Sequence, residues 1–220
     1  MPVAFSTIST LAHRDLKGVL PLPLSHVQQL FAAVLGYRNH AAYQAAVKAG
    51  VETESLADAR HILPDVEMFE RRARDLDCLP DVGTIGASIS KALKKALPEV
   101  VLHQSVQDLA DDIRLDVETD IGDSSEFSSV HAETNGGMPW FDLEFEAASD
   151  LQEDSADSWA LEVTGSATLE LDEDRVYSGH EMSVSARVVF SKLGRRVLGP
   201  YEVDDVGAAV KEWRDDEDLE

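Results

Sequence analysis

Hydrophobic positions along this chain follow a period near 3.6 for the first half and a period of two for the second. After Pro21-Leu22-Pro23-Leu24, residues Val27, Leu30, Phe31, Val34 and Leu35 recur at three- and four-residue spacing, which predicts a helix with one apolar stripe. Ser25 is the expected N-cap, since its hydroxyl can accept an orphan amide, and Gly36 is the expected stop. A second helix, capped by Asn39, is predicted over His40–Ala49 and closed by Gly50. Asp65 opens a third, reaching about Leu76, with Val66, Phe69, Ala73 and Leu76 on one face. A fourth runs from about Val82 to Leu97 on Ile85, Ile89, Leu93 and Leu97, is ended by Pro98, and shows Lys91, Lys94 and Lys95 outward. The fifth opens at Ser105, buries Val106, Leu109, Ala110, Ile113 and Val117, and turns Asp108, Asp111, Asp112 and Asp116 outward.

Residues 119–139 break the period. Gly122, several serines and Asn135-Gly136-Gly137 predict a polar connector. Beyond it Phe141, Leu143 and Phe145 alternate with Asp142, Glu144 and Glu146, a strand with one dry and one wet face. From Trp159 to Asp172 the alternation is longer: Leu161, Val163, Ala167, Leu169 and Leu171 on one face, Glu162, Thr164, Ser166, Thr168 and Glu170 on the other. Gly165 inside it suggests a bulge or bend. Met182, Val184, Ala186, Val188 and Phe190 predict a third strand, Lys192-Leu193-Gly194-Arg195 a hairpin turn, and Arg196–Tyr201 a fourth. Val206, Ala209, Val210 and Trp213 suggest a short terminal helix before an acidic tail. The expected fold is α+β: a helical region over 1–118, the connector over 119–139, then a roughly four-stranded antiparallel meander and a terminal helix over 140–220.

Charge sharpens this division. The 220 residues hold 42 acidic and 19 basic side chains, a formal charge of −23. Residues 1–50 carry four basic residues and one acid, whereas 101–150 carry thirteen acids and a single basic residue, Arg114. So acidic a chain repels nucleic-acid phosphates and anionic lipid surfaces and attracts basic partners. No apolar run approaches a membrane span, and the N-terminus lacks the pattern of a signal peptide, so a cytoplasmic protein is expected. The lone cysteine, Cys78, excludes an intrachain disulfide and reads as a buried, inert thiol.

Candidate chemistry is sparse. The helix pair 25–49 has the small residue, leucine and glycine of a helix-turn-helix at Ala32, Leu35 and Gly36. Its second helix, however, offers base edges only His40, Gln44 and Lys48 among five alanines. The run from Leu24 to Tyr43, with its apolar helix, Leu35-Gly36-Tyr37 turn and Asn39 cap, resembles a small helical module of uncharacterised bacterial proteins sometimes labelled glyoxalase-related. His40 stands where that module often has tryptophan. The resemblance implies a bacterial origin and brings no catalytic residues.

Seven histidines, at 13, 26, 40, 61, 103, 131 and 180, lack metal-site spacing and read as structural or surface residues. Asp142, Glu144 and Glu146 form a carboxylate row that hydrolysis or a divalent ion can use, and that a solvated sheet face also explains. Gly83-Thr84-Ile85-Gly86 lacks phosphate-loop spacing. No cofactor or metal is called for, and the chain reads as a non-enzyme. The expectation is a bacterial interaction protein (accessory, immunity-like or inhibitor) binding a protein, with a basic one suited to the charge, rather than nucleic acid or membrane. Its acidic surface would comprise Asp108, Asp111, Asp112, Asp116, Asp142, Glu144, Glu146, Glu162 and Glu170. A nucleic-acid-binding regulator using helices 25–49, and an enzyme whose site is assembled from distant residues, are the alternatives.

Overall fold

A computed structural model describes residues 4–50, 52, 55–134, 136–151, 157–171 and 181–211. The described residues form seven α-helices and six strands: α1 Phe5–Leu16, α2 Leu24–Val34, α3 His40–Lys48, β1 His61–Ile62, α4 Val66–Asp75, α5 Val82–Ala96, β2 Val101–Leu102, α6 Val106–Asp123, α7 Ser125–His131, β3 Gly136–Ala147, β4 Ser158–Leu171, β5 Glu181–Lys192 and β6 Val197–Val210. Hydrogen bonding orders the strands β2-β1-β6-β5-β4-β3. The chain divides into two compact units, one of residues 1–109, 149–159 and 190–200, the other of 110–148, 160–189 and 201–220.

The first unit is helical. Its core gathers Phe5, Ile8, Ala12 and Leu16 of α1, Val27, Leu30 and Phe31 of α2, Phe69 and Ala73 of α4, and Ile85, Ile89 and Leu93 of α5. Helix α1 packs on α5 and α2, and α2 also on α4 and α3. The predicted stops hold: Gly36 and Gly50 take φ of +82° and +74°, a region costly to any residue with a Cβ. Asn39 and Asp65 cap as expected, accepting from the amides of Ala42 and Met68 at 2.9 Å each. Ser25 does not cap α2. The helix starts two residues earlier than that cap requires, at Leu24, and Pro23 stands at the N-cap, its ring having no amide to satisfy. Val66, expected on the buried face of α4, is 54% exposed. Cys78 is buried and its thiol donates to the Ala73 carbonyl; burial, then Asp81, pushes its pKa up, so the thiolate is disfavoured.

In the second unit the apolar stripe of α6 does not stop at Val117 but continues to Ile121, both buried. Ser124 then caps α7 by accepting from the Phe127 amide at 3.1 Å. The expected connector over 119–139 is therefore two helices and the start of a strand. Its serines are a cap and the exposed face of α7, not a linker. Strand β4 buries Leu161, Val163, Ala167 and Leu169, and β5 buries Met182, Val184, Ala186 and Val188, as their period requires.

The sheet differs from the expected four-stranded antiparallel meander. It has six strands and is mixed, because two-residue strands β1 and β2 pair in parallel, His61 with Val101 and Ile62 with Leu102. Among the described residues the expected terminal helix is replaced by strand: β6 runs on to Val210 through Asp205, at φ +50°. β-branched Val206 and Val210 suit a strand, and the ladder with β5 closes where the Lys211 amide donates to the Glu181 carbonyl at 2.9 Å. Trp213, the acidic tail and Asp172 lie outside the described residues. Gly165 makes no bulge: pairing is continuous from Pro139↔Leu169 to Ala147↔Leu161, and the irregularity falls between Gly136 and Pro139. No helix among the described residues is long and apolar enough to cross a membrane.

Candidate partner-binding surface

Strand β3 sets the geometry of the second unit. Phe141, Leu143 and Phe145 turn towards the helices. The Phe141 ring lies 5.3 Å from that of Phe127, and the Arg114 guanidinium sits 5.0 Å over Phe145. The period of two then forces Met138, Trp140, Asp142, Glu144 and Glu146 onto the other face, where all five are exposed. Successive side chains on that face stand roughly 7 Å apart. Register places Trp140 opposite Thr168, Asp142 opposite Ser166, Glu144 opposite Thr164 and Glu146 opposite Glu162. The last pair sets like charges directly across the ladder, an unfavourable arrangement that Arg187 of β5 relieves by reaching Glu162 at 3.3 Å. Glu170 lies exposed on the same face of β4.

Two large apolar side chains interrupt this acidic field. Met138 is 72% exposed and Trp140 70% exposed. Neither belongs to the residues predicted from charge alone, although the run Met138-Pro139-Trp140-Phe141-Asp142 places tryptophan in phase with the carboxylates.

Among the described residues β3 ends the strand order, which leaves an outer edge of the kind that pairs with another chain. Helix side chains cover two of them: Arg114 donates to the Leu143 carbonyl at 2.7 Å, and the His131 imidazole lies 3.0 Å from the Gly137 carbonyl. Pro139 has no amide to offer. The edge is therefore blunted while the face stays open.

Three of the helix carboxylates, Asp111, Asp112 and Asp116, lie in the same unit as this face. Asp108 caps the start of α6, accepting from the Gln104 amide at 2.8 Å, and Asp111 pairs with Arg114 at 3.7 Å. Asp116 accepts from the Tyr201 hydroxyl, and Asp112 and Asp120 lie close enough to act on that phenol. Since α6 faces the side of β3 bearing Phe145, Asp111, Asp112 and Asp116 and the row Asp142, Glu144, Glu146 belong to different sides of the unit. Burial, then Asp116 and Asp120, raises the Tyr201 pKa to about 12. The folded protein therefore holds this proton more tightly than the unfolded chain. The associated stability is complete below pH 10 and is lost as pH rises towards 12. A Tyr201→Phe variant should show a flatter alkaline limb in its stability profile, and absorbance titration of the phenolates should lose its latest component.

The basic candidates fare differently. On α3, Gln44 and Lys48 are exposed. His40 stacks on Phe5 with centroids 5.0 Å apart and planes 9° apart, and desolvation lowers its pKa. A stacked, neutral imidazole is poorly placed to read a base edge. Lys91 of α5 is held by Asp15, whose carboxyl that ammonium and Ser88 keep below its ordinary value. Sequence spacing also missed a histidine pair: His61 and His103, 42 residues apart, meet at 3.0 Å in the first unit.

No protein-family model matches the chain, no curated protein matches it, and no solved structure matches it.

Proposed function

We propose that this is a non-catalytic, cytoplasmic interaction protein, accessory or inhibitory in role, that docks a basic protein on the open sheet face of its second unit. The observation that carries this reading is Trp140, 70% exposed beside Met138 and set in a field of Asp142, Glu144, Glu146, Glu162 and Glu170. Tryptophan held in water is uncommon on a surface with no partner, and it is among the side chains that dominate binding when an interface covers it. The surrounding carboxylates supply long-range attraction and orientation, which raise association rates with a positively charged partner. The blunted edge favours docking against the face over addition of a strand. The same charge disfavours nucleic acid and anionic membranes.

The test is affinity capture from the source cell extract at low salt, followed by titration of the captured protein against wild type and variants. Trp140→Ala should weaken binding by about 2 kcal/mol, roughly thirtyfold. Glu144→Lys should slow association and flatten the salt dependence. A captured partner whose affinity ignores both salt and Trp140→Ala would rule this reading out.

A further inference from the structure

The histidine pair in the first unit supports a second kind of binding. The parallel ladder of β1 and β2 fixes both residues: His61 pairs with Val101, and the His103 amide donates to the Ile62 carbonyl at 2.9 Å. Both side chains are inside the fold, His61 at 8% and His103 at 2% exposure. Their rings do not stack. Centroids are 5.2 Å apart at a 35° tilt, His61 meets Phe190 edge to face, and His61 Nδ1 lies 3.0 Å from His103 Nε2, within hydrogen-bond distance.

Behind His103 stands a carboxylate. Asp108 Oδ2 is 3.9 Å from His103 Nδ1, and that carboxylate is fixed in turn by the Gln104 amide at 2.8 Å. A carboxylate on that side favours the tautomer with its proton on Nδ1 and leaves Nε2, the nitrogen on the His61 side, with its lone pair.

We propose that His61 Nδ1 and His103 Nε2 are two ligands of a divalent transition-metal site, with Asp108 as the residue that positions His103. Zinc–imidazole bonds of about 2.0–2.1 Å place two tetrahedral ligand nitrogens roughly 3.3 Å apart, a few tenths of an ångström from what the pair already has. Imidazole selects zinc, nickel or copper over calcium and magnesium, which want oxygen. Two imidazoles leave coordination positions for oxygen donors, water among them. The site lies in the first unit and stands independently of the docking face.

The experiment uses the full chain, freed of metal with a chelator and titrated with zinc while histidine ring-nitrogen NMR signals are followed. Zinc should shift two imidazoles at Nδ1 of His61 and Nε2 of His103 to saturation, and calcium should leave them in place. Asp108→Asn, at a half-exposed position, should fold and should weaken zinc binding between roughly tenfold and a hundredfold. The proposal is overturned if zinc leaves those two rings unchanged while binding elsewhere, or if calcium shifts them equally. Undiminished affinity in Asp108→Asn removes that residue's positioning role.

Discussion

Replacing Asp65 with alanine should cost about 4 kcal/mol, the largest single loss expected in the first unit. Asp65 has two jobs, one for each carboxylate oxygen. Oδ1 accepts the Met68 amide and caps α4, a contribution of about 1 kcal/mol. Oδ2 accepts from Arg196 Nη2 at 3.1 Å in an ion pair whose side chains are only 9% and 19% exposed. Removing the acid leaves a guanidinium largely out of water with no countercharge, a situation that costs about 3–5 kcal/mol. Arg196 has little reserve: its Nε is already buried with no hydrogen-bond partner.

Urea unfolding should show the midpoint falling with the slope unchanged. Asp65→Asn should fall between wild type and alanine, because an amide oxygen still caps while the charge is gone. The double variant Asp65→Ala, Arg196→Met should recover much of the loss, since the penalty belongs to the stranded charge. A loss below about 1 kcal/mol in Asp65→Ala would mean that the pair contributes nothing.

Asp65 also shows which parts of the fold can be read from sequence. Its capping role is local, visible as an acid just ahead of an apolar period, and so are the caps and stops at Asn39, Gly36 and Gly50. Its partner Arg196 lies 131 residues away in the turn between β5 and β6, and no spacing rule links the two. The same limit hid the meeting of His61 and His103, which depends on a parallel pairing of two-residue strands too short to carry a period.

Other misses have local causes. In α1, Phe5, Ile8, Ala12 and Leu16 do form a stripe, but Ser6, Thr7, Ser9 and Thr10 dilute it with weak helix formers. Thr10 bonds back to the Ser6 carbonyl, which reconciles its hydroxyl with the helix. Over Val206–Val210 four apolar residues and one glycine satisfy either period, and pairing with β5 selects the strand. For the candidate surface, alternation placed Asp142, Glu144, Glu146, Glu162 and Glu170 on one face correctly. Charge counting then joined them to Asp111, Asp112 and Asp116 of α6, which packing puts on another side of the unit, and it passed over Trp140, the side chain with most apolar area to bury.

Gly165→Ala should be the most damaging change in the second unit, at about 3 kcal/mol. A Cβ at this position would stand 2.0 Å from the Asp142 carbonyl oxygen and 3.0 Å from the Leu143 Cα. Both obstacles are backbone, so no rotamer change relieves them, and β3 must move away from β4. Leu143 and Gly165 are register partners at the centre of that ladder, hence the displacement reaches Trp140 and Glu146 on either side. Glycine is thus kept here for close approach of two strands in a continuous ladder, and the expected bend is not its reason. Gly83→Ala in the first turn of α5 is the control. Nothing lies within 4 Å of its added Cβ, and alanine there should be neutral or stabilising by up to about 1 kcal/mol. Denaturant unfolding should separate the two variants by several kcal/mol, and amide exchange in Gly165→Ala should quicken first along β3. If Gly165→Ala unfolds like Gly83→Ala, the β3–β4 ladder is looser than its register implies, and the open face it carries is not a rigid docking platform.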